Sequence, residues 1–167
     1  MSVLDASVVL KWFVNEADSG RALKLREEFY AGEREIVVPD LLLFEIANAL
    51  RYNASFSIEE IQEALDTLFG MGIEIITPTV TLLGKTVEFA KEFDLTCYDA
   101  TYLALAEELS FEFITADKRF YRRIKKSPKQ KPSIQGKETK QTKETKQTTQ
   151  TNDIPAEGSL ACRGLSA

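Results

Sequence analysis

The feature that most constrains this chain is a regular alternation of short apolar runs with longer amphipathic segments. The short runs span residues 2–5, 35–39, 73–78 and 111–115, and most of their residues are β-branched or aromatic. Runs of this length and composition predict strands, while apolar residues near 3.6 spacing predict helices between them. The alternation is typical of a three-layer α/β fold, in which helices flank a central parallel sheet.

Helix boundaries follow from capping and breaking residues. Asp40 precedes the apolar segment 41–53 and is predicted to cap it, and Ser57 with Glu60 forms a capping box for the next helix. The predicted helices cover residues 7–14, 19–32, 41–53, 58–70, 80–93, 98–109 and 118–126.

The character of the chain changes after residue 126. The segment 127–167 has almost no apolar periodicity and contains KETKQT twice in tandem, at 137–142 and 143–148. Such a segment cannot bury enough apolar surface to offset the entropy of ordering it. We therefore predict a folded domain over residues 1–126 and a disordered low-complexity tail over residues 127–167.

Composition excludes several classes of site. The chain has no histidine, so an imidazole base and serine–histidine or cysteine–histidine nucleophiles are ruled out. Of its two cysteines, Cys97 and Cys162, the second lies in the predicted tail, which favours a reducing cytoplasm over a disulfide framework. No apolar run approaches the roughly 20 residues that span a bilayer, and we expect neither a membrane segment nor a secretory signal.

Four acidic residues occupy positions where an unpaired carboxylate is costly. Asp5 and Asp117 follow the first and last predicted strands, and Glu45 and Asp99 lie on or beside the apolar faces of helices. Because sites in parallel α/β sheets form beyond the carboxyl ends of the strands, these acids are expected to converge. Clustered carboxylates repel one another, and a divalent cation with oxygen ligands, Mg²⁺ or Mn²⁺, resolves the conflict.

Each acid also has a simpler interpretation. Asp99 and Asp117 are suited to cap helices, Asp5 to a turn, and Glu45 to pairing with a basic side chain. Three neutral polar residues stand near the acids and are candidates to hold a water or a phosphate oxygen. They are Ser7, Asn48 and Thr115, of which Ser7 is equally suited to cap its own helix.

Four stretches of the chain resemble the signature blocks of PIN-domain nucleases, in particular those of VapC toxins. They are VLDASVVLKWF, VPDLLLFEIANALR, YDATYLALAEEL and FITADKRF, which occur in the family's order within residues 1–126. The resemblance implies that Asp5, Glu45, Asp99 and Asp117 form the catalytic acidic set. It further implies Mg²⁺- or Mn²⁺-dependent cleavage of RNA, inhibition by a cognate antitoxin, and a homodimer. It does not extend to residues 127–167.

The resemblance suggests a division of roles. Asp5, Asp99 and Asp117 would bind the metal directly, and Glu45 would bind a water or accept its proton. The acidic body argues against general nucleic-acid binding, but the last helix, 118–126, carries six basic side chains. Four of them are candidates to contact the RNA backbone: Lys118, Arg119, Arg122 and Arg123. A solvated helix face, a non-catalytic binding module and a housekeeping RNA-processing nuclease remain alternatives.

Overall fold

The computed structural model describes residues 1–16, 19–126 and 134–135. Strands and helices alternate along these residues, as the sequence predicts. The elements are β1 (Ser2–Leu4), α1 (Ala6–Val9), a 3-10 turn (Leu10–Trp12), α2 (Ser19–Tyr30), β2 (Ile36–Pro39), α3 (Leu41–Tyr52), α4 (Ile58–Gly70), β3 (Glu74–Ile76), α5 (Val80–Phe93), α6 (Cys97–Leu109), β4 (Glu112–Ile114), α7 (Lys118–Lys126) and β5 (Ile134–Gln135).

The strands form one parallel sheet in the order β3–β2–β1–β4–β5. Val3 of β1 lies opposite Val37 of β2 on one side and Phe113 of β4 on the other. Both Val3 and Leu4 are completely buried, as expected for a strand covered on both faces. The predicted three-layer α/β architecture, with helices flanking the sheet, is confirmed.

The strand order reverses at β1. From β1 the chain moves outward through β2 to β3, and it later returns to place β4 on the other side of β1. In sheets of this kind the reversal opens a crevice at the carboxyl ends of the strands. The Asp5 amide donates to the Ile114 carbonyl at 3.0 Å, so β1 and β4 stay paired up to this edge.

Helix α6 is the most buried helix of the described chain. Its residues from Ala100 to Ala106 are all buried, because α6 packs against β1, β2 and β4 and also against α5. Its small and apolar side chains suit a helix that is covered on more than one face. Helix α6 therefore covers the central strands of the sheet.

The predicted capping box of α4 is confirmed. The Glu60 amide donates to Ser57 Oγ at 3.2 Å, and the Ser57 amide donates to Glu60 Oε2 at 2.7 Å. The predicted cap at Asp40 is wrong. Asp40 has helical backbone angles (φ −59°, ψ −27°) and makes no capping hydrogen bond through its side chain, whereas an N-cap residue normally has an extended backbone.

The short strand β5 is the one element that the sequence does not predict. Ile134 and Gln135 pair in parallel with Phe113 and Ile114 of β4, whereas we expected no regular structure between residues 127 and 167. The rest of that segment lies outside the described residues, and the domain boundary at residue 126 stays a prediction. No helix in the described part of the chain is long and apolar enough to cross a membrane.

Candidate active site

Asp5 occupies the centre of the crevice, directly after β1, and is 8% exposed. Two hydroxyl groups donate to its Oδ2 atom: Ser7 Oγ at 2.7 Å and Thr115 Oγ1 at 2.6 Å. Both of these hydrogen bonds go to the same carboxylate oxygen, Oδ2. They leave Oδ1 as the oxygen of Asp5 that could bind a ligand.

The two hydroxyls are themselves fixed by the backbone that follows β4. The Ala116 amide donates to Ser7 Oγ at 3.0 Å, and the Asp117 amide donates to Thr115 Oγ1 at 3.0 Å. Ser7 lies inside α1 and does not cap that helix. Both hydroxyls that the sequence singled out therefore orient Asp5 and tie the end of β1 to the loop after β4.

The acidic side chains affect one another electrostatically. Burial raises the pKa of Asp5, the hydrogen bonds from Thr115 and Ser7 lower it, and the charges of Asp99 and Asp117 raise it further, with a net increase. Burial also raises the pKa of Glu45, the hydroxyl of Tyr102 lowers it, and the charges of Asp5 and Asp99 raise it, again with a net increase. The four acids predicted from sequence therefore share one region.

Glu45 is half-buried on α3 and accepts a hydrogen bond on Oε2 from the hydroxyl of Tyr102 on α6. Burial and the neighbouring Glu45 raise the pKa of Tyr102, although the backbone amide of Ala6 lowers it in part, so the phenol stays protonated and donates. The sequence alone does not single out Tyr102, which falls at helical spacing on the apolar face of α6. Its hydroxyl instead connects the two acid-bearing helices.

Asp99 is half-buried in the first turn of α6 and is not the cap of that helix. Thr96 takes the capping position, and its Oγ1 atom accepts a hydrogen bond from the Asp99 amide at 3.1 Å. The simpler interpretation of Asp99 as an N-cap is therefore wrong. The cap positions the backbone of Asp99 and leaves its carboxylate free of a capping role.

Asp117 does cap its helix. Its Oδ1 atom accepts hydrogen bonds from the amides of Arg119 at 2.6 Å and Phe120 at 3.2 Å. The side chain is exposed, and its charge contributes to the raised pKa of Asp5. Capping uses only one carboxylate oxygen, so the capping and site interpretations of Asp117 are compatible.

A cavity of about 270 Å³ adjoins Glu45 and Ser7. It is lined by Ala6, Ser7, Leu10, Glu45, Ile46, Asn48 and Ala49. Asn48 lies one helical turn after Glu45 on the exposed side of α3, so its amide is available at the mouth of this cavity. The cavity therefore brings Ser7, which lies beside Asp5 in the sequence, together with Glu45 and Asn48.

The donor set suits a hard divalent cation, but it does not form a closed cage. Within the described ranges, no three acidic or cysteine side chains lie close enough together to hold a metal ion as they stand. Burial is the main cause of the raised pKa values of Asp5 and Glu45, and the charges of neighbouring acids add to it at both sites. An all-carboxylate set under mutual repulsion is the chemistry that Mg²⁺ or Mn²⁺ relieves.

Helix α7 begins directly after Asp117 and carries the four basic side chains that the sequence offers as candidates to contact RNA. Lys118, Arg119, Arg122 and Arg123 are all exposed. Arg123 donates to the backbone carbonyl of Asp94, and its Nη1 atom lies 4.0 Å from the Asp94 carboxylate. Because Asp117 caps the start of α7, Lys118 and Arg119 are the basic residues nearest to the acids along the chain.

The sequence of residues 2–126 matches the PIN domain family. No curated protein matches the chain. Three solved structures have a similar fold. The first is a chain of a toxin–antitoxin complex from Klebsiella pneumoniae, and the second is VapC20 of Mycobacterium tuberculosis, described as a toxin that cleaves the sarcin–ricin loop. The third is VapBC2 from Rickettsia felis, bound to a DNA fragment from its promoter.

These structures share the fold at low sequence identity. The Klebsiella chain is 16% identical with a TM-score of 0.59, and the match covers 81% of this chain and 97% of that one. VapC20 is 16% identical with a TM-score of 0.60, covering 73% and 94%, and the Rickettsia chain is 17% identical with a TM-score of 0.55, covering 72% and 91%. The family match over residues 2–126 and the parallel sheet with acids at its carboxyl edge agree, and the chain belongs to the PIN domain family, whose members are generally nucleases.

Proposed function

We propose that this chain is a metal-dependent endoribonuclease and the toxin of a type II toxin–antitoxin pair. The observation that carries the proposal is the group of four acids at the carboxyl edge of the sheet, in which Asp99 raises the pKa of both Asp5 and Glu45. Family membership supports hydrolysis of a phosphodiester, and the likeness in fold to toxin–antitoxin proteins supports the toxin role.

The side chains divide the work according to their surroundings. Asp5, Asp99 and Asp117 would hold Mg²⁺ or Mn²⁺, with Ser7 and Thr115 keeping Asp5 in one orientation. The cation would supply the positive charge that lowers the pKa of a coordinated water. Glu45 has a raised pKa and would accept the proton from the attacking water. Asn48 would donate a hydrogen bond to the water or to a phosphate oxygen.

Single-stranded or looped RNA is the substrate that we infer. The crevice is acidic, so the RNA backbone needs basic side chains at its rim to approach. Lys118, Arg119, Arg122 and Arg123 would provide these charges, and Arg123 also bonds to the backbone carbonyl of Asp94. The similarity in fold to VapC20, a toxin that cleaves the sarcin–ricin loop, agrees with this substrate class.

Exposed apolar side chains support two protein partners. On α5, Val80, Leu83 and Val87 are 89%, 48% and 47% exposed and follow helical spacing, which suits the isologous contact of a homodimer. On α3 and α4, Phe44 and Phe69 are 78% and 59% exposed, which suits a bound antitoxin. Light scattering tests both associations. It is applied to the purified chain alone and to the chain co-expressed with a small protein encoded by the adjacent gene.

The decisive experiment is cleavage by the purified full-length chain of random-sequence RNA and of ribosomal RNA, with Mg²⁺ or Mn²⁺ and with a chelator. Asp99→Asn is expected to lower the cleavage rate by about a hundredfold or more, and the chelator should abolish cleavage. Asp66→Asn removes an exposed carboxylate of α4 outside the crevice and is the matched control. It should leave the rate within twofold.

Two results would contradict the proposal. Wild-type turnover by Asp99→Asn would remove this acid from the mechanism. RNA binding without metal-dependent cleavage by the wild-type chain would favour the alternative of a non-catalytic binding module. Thermal melts of every variant establish that a lost activity does not reflect a lost fold.

A further inference from the structure

Tyr102 is a tyrosine in a place where packing alone would accept phenylalanine. Its side chain is 0% exposed in the middle of α6, between the sheet and α5. A buried tyrosine hydroxyl needs a hydrogen-bond partner, because an unpaired polar group in an apolar interior is costly. The partner here is Oε2 of Glu45, an acid of the candidate site on a different helix.

The position of the hydroxyl is fixed by the packing of its own ring. The Tyr102 side chain is fully buried in α6, so it cannot swing away from the carboxylate on α3. The backbone amide of Ala6, the residue after Asp5, lowers the pKa of the phenol in part, which puts the hydroxyl near the turn that follows β1. A donor on a buried ring is a fixed reference for the group to which it bonds, here Glu45 Oε2.

The Glu45 carboxylate needs a fixed hydrogen-bond donor, because the negative charges of neighbouring acids repel it. The charges of Asp5 and Asp99 act on it, and a glutamate side chain has several rotatable bonds through which it can move toward solvent. A hydrogen bond from a neutral donor favours the ionised carboxylate and fixes one of its two oxygens. The other oxygen, Oε1, is then the one left to act on a water.

We propose that Tyr102 is a positioning residue of the nuclease site, whose hydroxyl holds Glu45 Oε2 so that Oε1 accepts the proton of the attacking water. The inference rests on the proposed function for its chemistry. The contact that carries it involves only residues of this chain.

The test compares Tyr102→Phe with Thr86→Val in the full-length chain. Tyr102→Phe keeps the ring and removes only the hydroxyl. Thr86→Val removes another buried hydroxyl, 1% exposed and 3.5 Å from Thr101 Oγ1, in the contact of α5 with α6. Tyr102→Phe is expected to lower kcat for RNA cleavage tenfold or more with KM within twofold, while Thr86→Val leaves both within twofold.

The Glu45→Gln background separates positioning from a general structural effect. If Tyr102 acts through Glu45, adding Tyr102→Phe to Glu45→Gln changes kcat by less than twofold. Independent, multiplying losses in the double variant would overturn the inference, as would wild-type kcat in Tyr102→Phe alone.

Calorimetric titration with Mn²⁺ gives a readout that does not depend on cleavage. We expect Glu45→Gln and Tyr102→Phe to weaken Mn²⁺ binding by a similar factor, between three- and tenfold, and Thr86→Val to leave it unchanged. If the wild type binds Mn²⁺ but cuts no RNA, the proposed function fails and the titration alone decides the positioning role. Unchanged Mn²⁺ affinity in Tyr102→Phe, or no Mn²⁺ binding by the wild type, would overturn the inference.

Discussion

At the scale of single residues, Asp5 is subject to three competing effects. Burial and the charges of Asp99 and Asp117 disfavour its ionised form, whereas the hydroxyls of Thr115 and Ser7 favour it. The balance raises the pKa of the carboxyl, so the folded state binds a proton at Asp5 more tightly than the unfolded state does. Without a cation, the ionised Asp5 therefore reduces the stability of the fold that presents it.

We predict that Asp5→Asn is more stable than the wild type at neutral pH in the absence of divalent metal. The amide is uncharged and still has an oxygen to accept from Ser7 and Thr115. We expect a gain on the order of 1 kcal/mol, which is about 2–4 °C in Tm for a chain of this size. Melts with a chelator measure it, with Asp66→Asn as the exposed control. A lower Tm for Asp5→Asn would mean that the hydroxyl bonds to the carboxylate outweigh burial and repulsion.

The gain in stability from Asp5→Asn should increase with pH. Below the ordinary Asp value of 3.8 the carboxyl is protonated in both the folded and the unfolded chain, so its ionisation costs the fold nothing. As the pH rises from there through the raised folded pKa, the folded chain must ionise Asp5 in its buried position, and the wild type loses stability. The difference in Tm between Asp5→Asn and the wild type should therefore be small below pH 3.8, grow as the pH rises, and level off once the pH is above the raised folded pKa. A difference that shrinks with rising pH would contradict the direction of the pKa shift.

Sequence reasoning identified the acids but not the tyrosine. Asp5, Glu45, Asp99 and Asp117 stand out because charge at the end of a strand or beside an apolar face is expensive. Tyr102 does not stand out, because an aromatic residue in an apolar stripe is the ordinary content of a core. Only the tertiary fold brings its hydroxyl on α6 to Glu45 on α3, 57 positions away in the sequence. No local periodicity contains that contact.

At the scale of elements, the start of α6 connects helix capping to the site. Thr96 and Asp99 are three residues apart and both are good capping residues, so the sequence alone could not assign the cap. The structure gives the cap to Thr96, whose Oγ1 accepts from the Asp99 amide. One hydrogen bond thus caps the start of the helix and positions the backbone of a candidate metal ligand.

The neighbouring helix provides a matched comparison. Thr79 caps α5 by accepting from the Leu82 amide at 3.1 Å, the distance that Thr96 has to Asp99. Thr96→Ala and Thr79→Ala should each lower the free energy of unfolding by about 1 kcal/mol. Because the first lets Asp99 move, we expect only Thr96→Ala to lower kcat, by about tenfold. Urea unfolding and RNA cleavage measure the two effects. If both variants have the same kcat, the Thr96 cap does not contribute to the position of Asp99 in the site.

At the scale of the whole molecule, the order of strands determines which acids meet. The alternation of strands and helices was predictable, because each element follows a local period. The central place of β1 was not, since it depends on the chain returning to put β4 beside it. That return puts Thr115 against Asp5 across 110 positions of sequence. We predicted that the four acids converge from the general rule that sites form at the carboxyl ends of parallel strands. The sequence itself does not reveal which strands are neighbours.

Because β5 lies beyond the predicted domain boundary at residue 126 and pairs with β4, deletions on either side of it test that boundary. The tandem repeats and most of residues 137–167 are polar, so we predict that they add nothing to the folded core. Deleting 137–167 should leave Tm within about 2 °C of the full chain, which corresponds to less than about 1 kcal/mol. Deleting 127–167 also removes Ile134 and Gln135 from the edge of β4.

We expect the longer deletion to cost about 1 kcal/mol more than the shorter one, since two residues of parallel pairing contribute only one or two net backbone hydrogen bonds. Both shortened chains should retain RNA cleavage, because all four acids precede residue 126. The measurement is a pair of melting curves with cleavage rates for each deletion. A fall of about 10 °C on deleting 137–167 would show that the tail belongs to the fold, and equal Tm values for the two deletions would show that β5 contributes nothing to stability.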